Sequence, residues 1–211
     1  MIRIDKSLIP AGNFYIAVSG GVDSIACAHL LHRFYKERVV VCHYNHNLRP
    51  RNNVMQKAVE WFCEDFDIPF VSDKRTKSEV SGSVEDCLRK SRMEFFTSLR
   101  HDIVLCHHLD DAVESRIMRF LVGESDNYIP IPRQTKISNH SLVRPFMSSR
   151  KEDMISYVKK NDLEKYVVED ETNQENNYRR NWVRNVLLPQ LQPFGLPTLV
   201  KKKFYSNEKE R

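Results

Sequence analysis

The sequence predicts an α/β protein with an open, twisted parallel sheet of about five strands and helices on both faces, a Rossmann-like arrangement. Three observations indicate this fold. Short apolar runs recur along the chain, stretches with helical periodicity separate them, and a glycine pair follows the first apolar run. Strands that alternate with helices form parallel sheets that are covered on both faces.

Apolar runs and their spacing predict each element in turn. Strands are expected over residues 14–18, 39–44, 69–71, 103–106 and 142–144. Apolar residues at helical spacing predict helices over residues 22–34, 52–66, 85–99, 110–122, 149–161 and 181–191. The stretch from Glu124 to His140 is broken by Asn, Pro and Ser, and we expect a long surface loop there.

The order of these elements predicts the domain organisation. One main domain is expected over residues 1–145, a helical extension packed on it over residues 146–195, and a basic, mobile tail over residues 196–211. With 211 residues, 41% of them hydrophobic and 29% charged, the chain is long enough to bury a full core and does not resemble a disordered protein.

Composition also excludes several classes of protein. No apolar stretch approaches the roughly 20 residues that a membrane span requires, and the first residues lack the apolar core of a signal peptide. We therefore expect a cytoplasmic protein with no membrane partner. The five cysteines include no C-x-x-C pair, so a zinc knuckle, an iron–sulfur site and a thioredoxin-like centre lack their usual sequence support.

The formal net charge of +5 favours an anionic partner without identifying it. Basic residues cluster at Arg89, Lys90 and Arg92, at Arg179, Arg180 and Arg184, and in the tail at Lys201, Lys202 and Lys203. These clusters indicate either a surface for a polyanion or ordinary solvated helix faces.

The segment from Ser19 to Ser24, SGGVDS, lies between the first predicted strand and the first predicted helix. Parallel sheets bind ligands at this position. Two glycines let the backbone approach an anion, and amide groups at the start of the helix can bind a phosphate. Asp23 would repel that phosphate unless it holds a bridging Mg²⁺. The alternative is a glycine-rich turn without a ligand; the spacing of a Walker A loop is absent.

S-G-G-x-D-S after an apolar strand resembles the signature of the ATP-pyrophosphatase superfamily, and this resemblance implies a sheet of the adenine nucleotide alpha hydrolase type. Its members cleave ATP between the α and β phosphates, transfer AMP to a substrate oxygen and let a nitrogen or sulfur nucleophile expel AMP. Four further segments resemble tRNA(Ile)-lysidine synthetases. They are His43–Pro50 (HYNHNLRP), Glu85–Arg92 (EDCLRKSR), His107–Ser115 (HHLDDAVES) and the series Arg144-Pro145, Asp170, Asn173, Arg180-Asn181, Arg184 and Leu188-Pro189. The five ordered matches span about Phe14 to Leu191.

The resemblance implies a role for each matched residue. The implied catalytic residues are Asp23, Arg89, Arg92 and Asp111. The implied ATP-binding residues are Ser19, Gly20, Gly21, Val22, Asp23, Ser24, His46 and Arg49. Substrate binding is implied for Arg89, Arg92, Glu114, Asn173, Arg180, Asn181 and Arg184, and Mg²⁺ binding for Asp23 and Asp111.

Each of these residues also has a structural interpretation. Asp110 and Asp111 open a predicted helix, where carboxylates are ordinary caps. Arg89 and Arg92 share one helix face, which either grips phosphates or faces solvent. His46 and Arg49 either contact ATP or RNA or belong to a polar loop. The residues from Asp170 to Arg184 either contact RNA or form turns and caps.

The implied reaction uses ATP and Mg²⁺, with L-lysine and the anticodon loop of a CAU-anticodon tRNA(Ile) as partners. ATP activates the C2 carbonyl oxygen of the wobble cytidine, and the lysine amine then attacks C2 and releases AMP. Longer family members continue into tRNA-binding domains. Here either the basic tail and the Glu124 to His140 loop replace those domains, or a homodimer does, or the substrate differs.

Three alternatives differ in chemistry. Another tRNA-modifying enzyme of the superfamily, such as a 2-thiolation enzyme, usually carries paired cysteines. A small-molecule amide-forming ligase of the same superfamily needs an ammonia-supplying domain or partner. A non-catalytic nucleotide- or RNA-binding module would not need the intact Ser19 to Ser24 segment and Asp111.

Overall fold

The computed structural model describes residues 1–76, 84–123, 131–169 and 179–191. Within these residues, six strands form one sheet in the order β3-β2-β1-β4-β6-β5. The strands are β1 Phe14–Ala17, β2 Val39–Asn45, β3 Phe70–Lys74, β4 Ile103–Val104, β5 Gln134–Ile137 and β6 His140–Val143.

The helices of the described residues are α1 Val22–Tyr35, α2 Pro50–Asp65, α3 Val84–Ser98, α4 Leu109–Phe120, α5 Lys151–Lys160, α6 Arg179–Trp182 and α7 Leu188–Leu191. A π-helical turn, Val183–Leu187, joins α6 to α7, so that residues 179–191 form one continuous helix. Short 3-10 turns lie at Lys6–Leu8, Lys36–Arg38 and Glu164–Tyr166. The predicted helices agree with these bounds to within two residues at each end.

The sheet is mostly parallel, and the predicted α/β class is confirmed. Strands β1, β2, β3, β4 and β6 pair in parallel, whereas β5 pairs with β6 in the antiparallel direction. The prediction of a continuous loop from Glu124 to His140 is wrong where β5 lies, and the sheet has six strands rather than five. Residues 124–130 of that stretch lie outside the described residues.

The polar residues of β5 explain this error. Gln134 and Lys136 are exposed, whereas Thr135 and Ile137 are half-buried, so one face of the edge strand packs while the other meets water. Ser138 has a φ of 53°, which turns the chain into β6. An antiparallel edge strand needs an apolar side chain only on one face, and four residues give too short a pattern to separate it from a loop.

Alternate strand residues pack against helices on opposite faces of the sheet. One face joins α1, α2 and α5 through Phe14, Ile16, Val39, Val41, Val104 and Val143. The other face joins Phe95 and Phe96 of α3 through Tyr15, Ala17, Cys42, Ile103 and Leu142. Burial on both faces makes each central strand apolar throughout, as in other parallel sheets.

The strand order reverses direction beside β1, because β1 leads to β2 on one side and pairs with β4 on the other. The segments that follow β1 and β4 therefore meet at the carboxyl edge of the sheet. Open α/β sheets bind their ligands at such a point. The sheet brings together the SGGVDS segment and the two histidines and two aspartates after β4.

No helix of the described residues has the length and apolar character needed to cross a membrane. The predicted basic tail, 196–211, lies outside the described residues, as do Asp170 and Asn173.

Candidate active site

The segment from Ser19 to Ser24, called the phosphate loop below, is held in shape by its two serines. The Ser19 backbone N–H donates to Ser24 Oγ over 3.2 Å, and Ser24 Oγ donates to the Gly21 carbonyl over 2.8 Å. The two hydroxyl oxygens lie 3.2 Å apart. The helix that follows, α1, begins at Val22, so the first amide groups of the helix lack intrahelical acceptors and are available to an anion.

Gly20 has a backbone conformation that favours glycine. Its φ is +93°, and a Cβ atom added there would lie 3.4 Å from the carbonyl oxygen of Met55 and 3.5 Å from its Cβ. The Gly20 carbonyl also accepts the Val168 N–H over 2.9 Å, which ties the loop to the segment after α5. A side chain at Gly20 would therefore strain the loop through its positive φ, while its Cβ would lie in van der Waals contact with α2.

Three carboxylates surround one buried imidazole. His108 is 1% exposed, and its Nε2 lies 3.5 Å from Asp23 Oδ1 and 3.5 Å from Asp111 Oδ2. Its Nδ1 lies 3.5 Å from Asp110 Oδ2. The backbone N–H of His108 donates to Asp111 Oδ2 over 2.9 Å, which caps α4. The helix start predicted from sequence thus carries both the cap and the carboxylate cluster.

The carboxylates keep this imidazole charged. Burial alone would lower the pKa of His108, but its contacts with Asp110 and Asp23 and the charge of Asp111 raise that pKa to about 10. Conversely, burial would raise the pKa of Asp23, but the contact with His108 and the charge of Lys151 lower it. At neutral pH the site therefore contains an imidazolium beside the ionised carboxylates of Asp23 and Asp110.

Two basic residues at the start of α5 pair with these aspartates, and sequence reasoning missed both. Lys151 Nζ donates to Asp23 Oδ2 over 3.1 Å. Arg150 Nε donates to Asp110 Oδ1 over 3.0 Å, and the Lys151 backbone N–H donates to Asp110 Oδ2 over 2.9 Å. Asp110 thus anchors the first turn of α5, whereas Asp111 has no such tie to α5 within the described residues. The sequence separation hid these pairs, because only the fold brings α5 beside the phosphate loop.

The residues predicted to bind substrate form a second cluster on α4 and the C-terminal helix. Glu114 is 2% exposed and accepts two hydrogen bonds from Arg184, over 2.6 Å at Nε and 2.8 Å at Nη2. Arg184 Nη2 also lies 3.7 Å from Asp111 Oδ1. Arg180 donates to Ser115 Oγ over 3.1 Å. Glu114 therefore holds the arginines, and its burial leaves little surface for a direct contact with a ligand.

A third group of polar side chains lies after β2 and on α3. Burial, together with the charge of Arg92, lowers the pKa of His46 to about 4. Burial likewise lowers the pKa of His107 to about 4, despite the opposing charge of Asp111. Both imidazoles are therefore neutral at pH 7. The charges of Asp111 and Arg92 both act on the pKa of His107, so this arginine lies at the same edge of the sheet.

Other predicted residues lie further out. Arg49 is exposed and precedes α2, and its backbone N–H donates to Asn52 Oδ1 over 3.0 Å. Arg89 is exposed on α3. Asn181 is buried at 8% exposure within α6. Asn173 lies outside the described residues.

Asp23 and Asp111 are carboxylates of the kind that Mg²⁺ binds, and both lie beside His108. Because both carboxylates lie 3.5 Å from His108 Nε2, they are separated by at most about twice that distance. Among the described residues, no group of three or more histidine, cysteine, aspartate or glutamate side chains forms a protein-only metal site. Mg²⁺ usually binds through one or two carboxylates plus substrate phosphates, and this pair matches that pattern.

Comparison with known proteins gives both a family and a fold. The sequence profile of a family described as a PP-loop domain matches residues 3–191. A bifunctional protein TilS/HprT of Listeria innocua is 35% identical over 202 residues, which cover 90% of this chain and 30% of that protein. A tRNA(Ile)-lysidine synthase of Coxiella burnetii is 30% identical over 197 residues, which cover 90% of this chain and 43% of that protein. This chain spans less than half the length of these curated relatives.

Among solved structures, the U34-tRNA thiolase NcsA from Methanococcus maripaludis, with its 4Fe-4S cluster, superposes with a TM-score of 0.74. The match covers 96% of this chain and 74% of the thiolase at 13% sequence identity, and it shows a shared fold. With the phosphate loop at the carboxyl edge of β1 and the family match over residues 3–191, this chain belongs to the PP-loop family of ATP-binding domains, as a distant relative of the tRNA(Ile)-lysidine synthases.

Proposed function

We propose that this chain catalyses the lysidine synthetase reaction, joining L-lysine to the wobble cytidine of a CAU-anticodon tRNA(Ile) at the cost of ATP. One observation carries the proposal. Asp23 of the phosphate loop and Asp111 of α4 meet around His108 at the ligand-binding edge of the sheet. Relatives named tRNA(Ile)-lysidine synthase support the choice of substrates.

The phosphate loop binds the part of ATP that leaves as pyrophosphate. Its support is the run of amide groups at the start of α1, where the helix dipole adds a positive potential. Ser19, exposed at the mouth of the loop, adds a hydroxyl donor. Asp23 and Asp111 would hold Mg²⁺, which when bound neutralises phosphate charge and polarises the α-phosphate.

The first chemical step forms a bond between the cytosine C2 carbonyl oxygen and the α-phosphorus, and the bond to the β-phosphate oxygen breaks. Negative charge moves onto pyrophosphate, so cations near the loop lower the barrier. Arg92 supplies one such charge, because its field already acts on His46 and His107 at the same edge. Arg89, three residues earlier on α3, provides a second cation on the same side of that helix.

In the second step the lysine ε-amine attacks C2, the bond from C2 to the adenylate oxygen breaks, and AMP leaves with that oxygen. The amine must first lose a proton. Asp111 is the acceptor we assign, because it is 20% exposed and lies 3.5 Å from His108 Nε2 and 3.7 Å from Arg184 Nη2 at the edge of the sheet. Asp110 is less suitable, since Arg150 and Lys151 already occupy it.

The RNA is expected to approach across the exposed arginines of α3 and α6. Arg89 and Arg180 are exposed, and Arg180 Nε lies 3.9 Å from Glu114 Oε2 on α4. An anticodon base enters such a site only when it is unstacked, which single-stranded loops permit. A homodimer would extend this surface, as would the basic residues at Lys201, Lys202 and Lys203.

Three of the five thiols, those of Cys27, Cys42 and Cys63, are poorly suited to thiolation chemistry. Burial raises the pKa of Cys27 and Cys42 well above the usual range and that of Cys63 to about 12. Protonated, buried thiols are poor nucleophiles and poor metal ligands. The fold shared with a U34-tRNA thiolase is therefore compatible with a different nucleophile in this chain.

Labelled lysine provides the test. The purified protein is incubated with ATP, Mg²⁺, radiolabelled lysine and total tRNA, and the RNA is then treated with mild alkali that removes aminoacyl esters. The proposal predicts alkali-stable label in a CAU-anticodon tRNA, and loss of that label when the wobble cytidine is changed to uridine. ATP cleavage to AMP with tRNA but without lysine incorporation would reject lysidine synthesis and retain adenylation.

A further inference from the structure

Lys151 is the first residue of α5. Its backbone is held by a hydrogen bond, and its partly exposed side chain ends in an ion pair. Its backbone N–H donates to Asp110 Oδ2 over 2.9 Å, and α5 packs against α1, the helix that follows the phosphate loop. Its side chain is 36% exposed, and the ammonium lies 3.1 Å from Asp23 Oδ2. Four methylene groups therefore connect a fixed backbone to a charge that can move by several ångströms.

The ammonium of Lys151 pairs with Asp23, the carboxylate of the phosphate loop that we propose as a metal ligand. Asp23 Oδ2 binds Lys151, and Asp23 Oδ1 lies 3.5 Å from His108 Nε2. Among the described residues, Asp23 Oδ1 has no well-formed hydrogen bond. Asp23 Oδ2 thus faces the partly exposed ammonium of Lys151, and Asp23 Oδ1 faces the buried imidazolium of His108.

A divalent cation and an ammonium group repel each other strongly at contact distance, so they compete for the same carboxylate oxygen. Lys151 is the group that can yield, because its tip is partly exposed whereas His108 is 1% exposed. A nucleotide bound at the phosphate loop brings several negative oxygens close to Asp23. Those oxygens would attract an ammonium that the metal ion displaces.

We propose that Lys151 is a nucleotide-binding residue that exchanges partners: its ammonium neutralises Asp23 in the ligand-free site and moves to a phosphate oxygen when a nucleotide-bound divalent cation takes that carboxylate. The inference rests on the proposed function only as far as ATP and a metal ion bind at the phosphate loop. It assigns to α5 a share in nucleotide binding that would not require tRNA or lysine.

Two consequences distinguish this role from simple anchoring of α5. Removal of the ammonium should strengthen binding of a divalent cation alone, because a competitor is lost. The same change should weaken binding of the metal–nucleotide complex, because a phosphate contact is lost. A residue that only anchors α5 would leave the affinity for the metal–nucleotide complex undiminished, since the backbone bond to Asp110 remains in any side-chain variant.

Binding of Mn²⁺, followed by electron paramagnetic resonance, measures both affinities without catalysis. The variants are Lys151→Met, which keeps the length and removes the charge, and Lys151→Arg, which keeps the charge. Lys165→Met is the matched control, because Lys165 Nζ also lies 3.1 Å from an aspartate, Asp65, in an exposed ion pair. The melting temperature of each variant confirms folding, and Lys151→Gln replaces the methionine variant if that variant does not fold.

The expected result for Lys151→Met is about a tenfold gain in affinity for free Mn²⁺ and about a tenfold loss in affinity for Mn²⁺–ATP. Lys151→Arg should retain most of the nucleotide affinity, and Lys165→Met should match the unmodified protein. If Lys151→Met matches Lys165→Met in both titrations, or loses affinity for free Mn²⁺, the inference is overturned. Because neither titration contains tRNA or lysine, absence of lysidine synthesis would leave this result unaffected.

Discussion

Arg184 and Glu114 form a two-point ion pair that fixes the C-terminal helix to α4. The Nε–Oε1 and Nη2–Oε2 distances are 2.6 Å and 2.8 Å, and Glu114 is 2% exposed. Arg184 lies in the π-helical turn Val183–Leu187, a distortion that is frequent at functional sites. The same guanidinium lies 3.7 Å from Asp111. The pair therefore connects the helix end to the proposed catalytic carboxylate.

Replacing Arg184 with alanine should destabilise the protein by about 3 kcal/mol, because a buried carboxylate loses its partner. Urea denaturation at pH 7 measures the change. The double variant Glu114→Gln/Arg184→Met should recover at least half of the loss, since it leaves no buried charge unpaired. A loss below about 1 kcal/mol for Arg184→Ala would show that water satisfies Glu114.

Replacing Gly20 with alanine should lower the stability of the fold by about 1–2 kcal/mol, because φ is +93° and the new Cβ meets Met55. ATP affinity should fall as well, since the loop must shift. Gly12→Ala is the control, because a Cβ at Gly12 has no neighbour within 4 Å and its φ is not in the left-handed region. Equal melting temperatures for the two variants would contradict the strain assigned to Gly20.

The two adjacent aspartates of α4 should separate stability from activity. Asp110→Asn weakens the ties to Arg150 and Lys151 and should cost about 1–2 kcal/mol of stability. Asp111→Asn keeps an oxygen for the cap and should preserve most of the stability while lowering ATP turnover on the order of a hundredfold. Urea denaturation and release of AMP measure the two effects. If Asp110→Asn lowered turnover and Asp111→Asn lowered stability, the roles assigned to the two residues would have to be exchanged.

Acid should destabilise the protein partly through His29. Burial, with the nearby charges of Arg33 and His32, lowers the pKa of His29 to about 4 from 6.5. The folded state therefore binds fewer protons than the unfolded state in this window, so the stabilisation is complete above pH 6.5 and is lost as the pH falls toward 4. Between pH 7 and pH 5 the loss from this residue is on the order of 2 kcal/mol.

His29→Gln removes that titration and keeps a polar partner for Tyr157, whose hydroxyl lies 2.8 Å from His29 Nδ1. The free energy of unfolding, measured at pH 7 and pH 5, should change less in the variant than in the unmodified protein. Identical changes in both proteins would contradict the lowered pKa assigned to His29.

The sequence was sufficient for the α/β class and for the position of the phosphate loop, because apolar periodicity and a glycine pair are local signals. The edge strand β5 was not predicted, because its four residues alternate exposed and half-buried side chains without a long apolar run. Of the residues assigned from motifs, Asp23 and Asp111 do lie together. Their roles in catalysis and in metal binding stay predictions.

The contacts of Lys151 and Arg150 had no sequence signal. Lys151 is 128 residues from Asp23 and belongs to no motif that the sequence offers, so only the packing of α5 on α1 brings the two charges together. The burial of Glu114 was equally hidden, because a glutamate in an amphipathic helix is ordinarily solvated. Charge pairs between distant elements depend on tertiary structure, and periodicity does not encode them.

The most direct test of the central claim is the release of AMP from ATP labelled at its α-phosphate, measured with and without tRNA. We expect AMP and pyrophosphate as products and a rate that depends on added CAU-anticodon tRNA. We expect no release of AMP by the Asp23→Asn variant. Formation of ADP, or a rate that is the same without RNA, would contradict adenylation of a tRNA base by this site.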